Sequence, residues 1–196
     1  ALNDLPTLDV QIIAKKNKLK KDKRTTAISA SNYEFFHRVL DKLDKKLFWP
    51  SKKINLFYES NEKKINFLNF NEDNNNLLYI FENDKIKDIL NREIKKKKIK
   101  IIRKNIQTSA DLDEYNLKVL CLGRNSKIYQ SVIKSRSIEK DYKEIALTGY
   151  VKHNIKDIST SQFFLKEGPL AILPCSQNNF SFVWRVKKGF VSENIA

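Results

Sequence analysis

Glycine and proline are both scarce in this sequence, four of each in 196 residues. With so few glycines there is no G-x-G-x-x-G and no P-loop anywhere along the chain, so neither glycine-rich phosphate cradle can be read from it. Histidine is rarer still. His37 and His153 lie far apart and share no spacing with either cysteine, which argues against a zinc site. His37 is expected to pack against its helix or meet solvent, and His153 to lie at the surface. Cys121 and Cys175 each sit in an apolar, strand-like run and are expected as a buried, reduced pair, with no disulfide framework implied. No apolar run approaches the roughly 18 residues that cross a bilayer, and no stretch resembles a signal peptide. A cytoplasmic location is therefore expected. Paired carboxylates for acid–base work are not evident either, because Asp111 and Asp113 fall in what reads as an exposed turn.

What is present is enough apolar residue, 41% of the chain, to bury a core, and a formal charge of +15. That charge invites a nucleic-acid partner, but lysine greatly outnumbers arginine, and asparagine and isoleucine are abundant with it. An A/T-rich genome imposes that bias on any protein. Arginine is the residue suited to phosphate and guanine, so no nucleic-acid partner is expected. A solvated basic surface with some preference for anionic membranes is the better reading.

Along the chain, 8–13 (LDVQII) reads as a buried parallel strand. Ser31 or Asn32 then caps a helix with Tyr33, Phe36, Leu40, Leu43 and Leu47 on its inner stripe, ended by Trp49-Pro50. Residues 53–58 and 64–70 alternate as a hairpin with 59–62 as its loop. Asn83 or Asp84 caps a second helix with Ile86, Ile89, Leu90 and Ile94 inward, closed by the lysines at 95–98. Residues 100–106 and 117–122 read as two more buried strands. From Glu144 onward period two dominates. The scarce glycine and proline gather here, in FFLKEGPLAILPCSQNNFSFVW at 163–184, a pattern of strand, kink, buried strand, turn and strand. The expected fold class is α/β, with α/β pieces at 1–48 and 83–135 interleaved with antiparallel sheet pieces at 49–82 and 136–196.

Several segments carry a resemblance. DKRTTAIS at 22–29 is similar to the D-x-R-x-x-A-[IL]-[AS] segment of the UbiH-like flavin-dependent polyprenylphenol hydroxylases of ubiquinone biosynthesis. YIFENDKI at 79–86 is close to their Y-I-x-E-N-x-x-L, and CLGRNS at 121–126 aligns with their A-D-G-x-x-S turn. DYKEIA at 141–146 matches D-Y-x-x-x-A, and 164–174 with 181–184 matches F-x-x-x-G-P-L-A-x-L-P followed by S-x-V-W. This last motif is the most specific.

The resemblance implies a partial Rossmann-like FAD-binding layer and an antiparallel substrate sheet. It also implies an aromatic-ring monooxygenase that uses FAD with NAD(P)H as reductant. Arg24 would lie near the flavin, and Gly123, Arg124 and Ser126 against the cofactor's phosphate and ribitol. Gly168, Pro169 and Leu170 would border the pocket of a polyprenylphenol. Contact with the inner membrane and with a ubiquinone-synthesis complex would follow from such a substrate. The sequence departs from the family where Leu122 replaces the Asp of the turn and where Ala14 or a neighbouring lysine stands at the ribose-binding acidic position. The Gly-rich loop would precede Leu8 and the G-D-A segment would follow Ala196, as expected of a chain covering about the middle half of such an enzyme. The other reading is a non-catalytic relative serving as a binding or scaffold subunit of a quinone-synthesis assembly.

Overall fold

The structure is a computed structural model that describes residues 2–15, 21–22, 24–40, 42–108, 110–122 and 140–194. It divides into two compact units, one of residues 1–20 and 94–140, the other of 21–93 and 141–196.

In the first unit, β1 (Gln11–Ile13) pairs in parallel with β7 (Lys100–Ile102), Ile12 opposite Ile101. Both strands are shorter than their apolar runs suggested. Lys97 reaches Asp4 at 2.7 Å, and the Tyr115 hydroxyl donates to Gln11 Oε1 at 3.5 Å. The strand expected at 117–122 does not form: Leu117 and Val119 are 66% and 63% exposed, and Cys121 is exposed as well. Strand composition is a preference for a pleated, half-buried surface, and without a paired neighbour it makes no strand. Among the described residues, the sheet of this unit is this single parallel pair, less than the layer expected from sequence.

The second unit is built in layers. Its broad floor is a six-stranded sheet in the order β5-β4-β9-β10-β11-β8. These strands are β4 (Lys53–Ser60), β5 (Lys63–Asn71), β8 (Glu144–Lys152), β9 (Thr160–Leu165), β10 (Gly168–Ser176) and β11 (Asn179–Lys187). The hairpin expected at 53–70 is there, but its loop tightens to a two-residue turn with Asn61 and Glu62 at φ 48° and 63°. Both residues in the left-handed region match the twist of the flanking strands. The sheet is not wholly antiparallel, because β4 joins β9 in parallel, Phe57 opposite Phe163 with the rings stacked at 4.7 Å. That single pairing merges the hairpin with the C-terminal meander. Period two cannot announce it, since alternation looks alike in either direction.

Above the floor lies a three-stranded sheet, β2 (Thr25–Ser29), β6 (Leu78–Glu82) and β3 (Trp49–Ser51), in the order β2-β6-β3. The central β6 is apolar almost without interruption, LYIFE, because both its faces are covered. Ile80 and its paired neighbours Ala27 and Trp49 share the face toward the floor, and Ile80 is 1% exposed. Tyr79 and Phe81 point the other way, into a core with Leu40, Leu43, Phe48, Ile86 and Ile89. Tyr33 stacks on Tyr79 at 3.7 Å there. Pro50, which has no N–H to give, sits on the edge strand β3.

Helices α1 (Ala30–Val39) and α2 (Asn83–Lys96) supply the other half of that core. The cap of α1 is Ser29, slightly earlier than Ser31 or Asn32, with its Oγ accepting from the Asn32 N–H. The helix also stops at Val39, and Leu40 is already extended. Leu43 and Leu47 therefore reach the core from the segment that follows. The last short helix, α3 (Lys188–Asn194), sets Phe190 edge-on against Trp184.

Candidate active site

Two of the sequence segments singled out above interlock in the second unit. The Asp22 carboxylate takes a bidentate pair of bonds from the Arg24 guanidinium, each 2.7 Å. The Asn83 side chain, at the start of α2, donates to the same carboxylate at 3.2 Å and accepts from the Thr26 hydroxyl at 2.6 Å. The Asn83 N–H bonds the Arg24 carbonyl at 2.9 Å, and Asp84 Oδ1 accepts from the Asp22 N–H at 2.8 Å. Segment 22–29 is thus stitched to segment 79–86 along the β2–β6 ladder, in which Thr25 faces Glu82. The bonds from Arg24, then Asn83, hold the Asp22 carboxyl far below the usual carboxylate range. Asp22 is only 15% exposed, whereas the Arg24 side chain stays 67% exposed. A charge anchored at its root and open at its face is what ligand binding asks of an arginine.

The open face borders a crevice of about 680 Å³, lined by Arg24, Asp22 and Thr25 on one side and by β8 and β11 on the other. Alternation along the strands puts Ala146, Thr148 and Tyr150 of β8 and Ser181 and Val183 of β11 on this side of the floor. The Thr25 and Ser181 hydroxyls bond across the layers at 2.5 Å. That volume lies within the roughly 300–1,000 Å³ typical of small-molecule and cofactor sites. Tyr150 is 42% exposed. Its partial burial, with Glu82 and Cys175 nearby, pushes the phenol up to about 12, so it stays a neutral donor and acceptor through the physiological range. Burial likewise pushes the Cys175 thiol up, which leaves it unsuited to act as a nucleophile.

Of the site residues expected from sequence, Arg24 lines this crevice. Gly168, Pro169 and Leu170 open β10, on the far side of β11, and do not line it. Pro169 nevertheless faces the same side of the floor: Ala171 pairs with Val183, and Pro169 lies two residues earlier on the same strand. Leu170, paired with Trp184 and Phe163, faces the opposite side. Gly168 has φ +139°, and a Cβ there would lie 1.9 Å from the Arg185 carbonyl oxygen, so the kink admits only glycine. Gly123, Arg124 and Ser126 lie outside the described residues.

Sequence reasoning missed Asn83 as the anchor of Asp22, and Thr148, Tyr150 and Ser181 as crevice walls. The first was legible as the E-N of the 79–86 segment. The others are ordinary outward positions of alternating strands, with no local signal. His37 packs edge-on against Tyr33, and His153 packs against Phe180, more covered than a surface position. Asp111 accepts from the Gln107 and Thr108 N–H groups, a turn-forming role. No helix among the described residues is long and apolar enough to cross a membrane.

No family model matches the chain, and no curated protein does. Among solved structures, a variant of P. aeruginosa PqsL is similar over 100% of this chain and 59% of its own, with a TM-score of 0.76 at 9% identity. CmlS, a flavin-dependent halogenase, is similar over 95% of this chain and 38% of its own, at TM-score 0.69 and 12% identity. A triple mutant of the flavin-dependent brominase Bmp2 is similar over 92% of this chain and 51% of its own, at TM-score 0.61 and 10% identity. The chain therefore spans 38% to 59% of the length of these structures. At such identities the likeness is one of fold. This is a mixed α/β chain, mostly sheet, with a fold similar to part of PqsL and of the flavin-dependent halogenase CmlS and brominase Bmp2.

Proposed function

We propose that this chain is the central part of a flavin-dependent monooxygenase that hydroxylates the aromatic ring of a polyprenylated phenol in ubiquinone biosynthesis. One observation carries the reading: two motif segments shared with those hydroxylases lock together and aim the Arg24 guanidinium at a crevice floored by the β-sheet.

An anchored cation beside an uncharged wall of Ala146, Thr148, Tyr150 and Val183 fits a flat ring with an electron-rich edge. In this reading Arg24 holds that edge of the flavin. When bound, FAD reduced by NAD(P)H supplies the oxygen-activating chemistry. The protein's own work is to orient the phenol along the floor, toward the Pro169 end of β10, and to exclude water. Tyr150, protonated at neutral pH, offers its hydroxyl to whatever polar atom enters the crevice.

Titration with FAD, read by loss of flavin fluorescence, tests this. With the Gly-rich pyrophosphate anchor not in this sequence, the expected result is weak but saturable quenching. It is weakened further, at least about tenfold, in Arg24→Ala, the loss of a bond to a charged group, with the far-ultraviolet circular dichroism unchanged. Absence of quenching with the intact chain would sink the catalytic reading. Leu122, standing where the family's turn has Asp, favours the second reading, a non-catalytic subunit of a quinone-synthesis assembly. That reading expects no flavin binding, together with co-purification of other pathway proteins.

A further inference from the structure

The outer strand β5 is exposed along its whole length and forms one edge of the six-stranded sheet. Its side chains segregate. Ile65 and Leu68 lie on the side of Tyr58 and Leu56, while Asn66 and Asn69 lie on the other. A bulge leaves Phe67 as an extra residue opposite the Leu56–Phe57 step, and its ring turns onto Tyr58 and Phe164, 5.8 Å and 6.0 Å away. Ile65, Phe67, Leu68 and Phe70 are 41% to 50% exposed. An edge with free backbone groups and an uncovered apolar face is a template for one more strand.

The order of residues points to which strand. Residues 63–72 read KKINFLNFNE. When this segment is laid antiparallel on a copy of itself about a point between Phe67 and Leu68, Lys63 falls opposite Glu72 and Ile65 opposite Phe70. Asn66 then meets Asn69, and Phe67 meets Leu68. Every apolar side chain faces an apolar one and each lysine at position 63 faces a carboxylate, pairings that stabilise a sheet. A slip of one residue sets Ile65 against Asn69 or Asn71 and destroys the match.

We propose that β5 pairs antiparallel with β5 of a second copy of this chain, with the two-fold axis between Phe67 and Leu68, so that the sheet continues across the dimer. Such an axis makes the contact self-complementary and closed. Lysines and bulges ordinarily keep sheet edges apart. Here the bulge lies at the axis, and Lys63 is answered by Glu72. An anionic lipid surface fits less well, because Glu59, Glu62 and Glu72 stand among Lys53, Lys63 and Lys64 and leave no net charge to draw headgroups. This inference does not depend on flavin binding.

Sedimentation velocity over a range of protein concentrations reads the association. The chain is expected to dimerise. Lys63→Glu and Glu72→Lys should each weaken the dimer several-fold at low salt, and the double variant should restore it, with circular dichroism confirming the fold of each. A chain that stays monomeric at its highest soluble concentration overturns the proposal. So does a dimer indifferent to both single reversals, or binding to phosphatidylserine vesicles as a monomer through Phe67.

Discussion

Asn83 and Asp22, 61 residues apart in sequence, hold each other at the corner where β2, β6 and α2 meet, Nδ2 to Oδ2 at 3.2 Å. Asn83 also takes the Thr26 hydroxyl, and its N–H bonds the Arg24 carbonyl, so one residue fixes three positions of the segment that delivers Arg24. Asn83→Ala removes the side-chain bonds and strands part-buried partners. The expected cost is about 1–2 kcal/mol of stability, read from urea unfolding by tryptophan fluorescence. Both tryptophans, Trp49 and Trp184, lie in this unit and report on it.

The depressed Asp22 carboxyl has a pH signature. A carboxylate whose folded value lies below its unfolded value of 3.8 adds stability that is fully present above that pH and is lost as pH falls through the folded value. Acid titration of the intact chain should therefore show a loss beginning near pH 4. Asp22→Asn should be less stable at neutral pH and flatter below pH 4. Parallel curves for the two proteins would remove Asp22 from the account.

Gly168 is a backbone position that admits no side chain. Its φ is +139°, and a methyl group added there would meet the Arg185 carbonyl oxygen at 1.9 Å, so Gly168→Ala must displace β10 from β11. A loss of at least about 2 kcal/mol is expected. Gly189→Ala is the matched control. Its Cβ meets nothing within 4 Å in α3, and a gain of up to about 1 kcal/mol from helix propensity is expected. Thermal unfolding of the two variants side by side separates the outcomes.

Ile80, at the centre of β6, is fully buried on the face of the small sheet that meets the floor. Ile80→Ala opens a cavity between two sheets and should cost about 2–5 kcal/mol. Leu90→Ala, on the same unit but 38% exposed, should cost much less. Urea midpoints of the two variants make the comparison.

How much of this was legible in the sequence follows from where each signal is stored. Alternation marked β4, β5, β8 and β11, and helical spacing marked α1 and α2, because a repeating side-chain period writes itself into a residue pattern. The strand β10 was marked by its apolar run between a Gly-Pro kink and a polar turn. The strand β6 escaped notice because both its faces are covered, leaving a plain apolar run ahead of the helix cap. Residues 117–122 misled for the converse reason, a strand-like composition that finds no pairing partner. At the site, Arg24 could be singled out because its segment is a motif. Tyr150 and Ser181 could not, since their role arises only when β8 and β11 are laid beneath β2, and the partner strands are chosen by long-range contacts that no local window contains.

The central claim is that the crevice beside Arg24 takes a flavin ring. Amide chemical shifts of the isotope-labelled chain, followed as FAD is added, test it most directly. Saturable shifts confined to Arg24, Thr148, Tyr150, Ser181 and Val183 and their strand neighbours are expected. Shifts clustered instead in a second cavity, lined by Trp49 and Lys156, or no shifts at all, would contradict it.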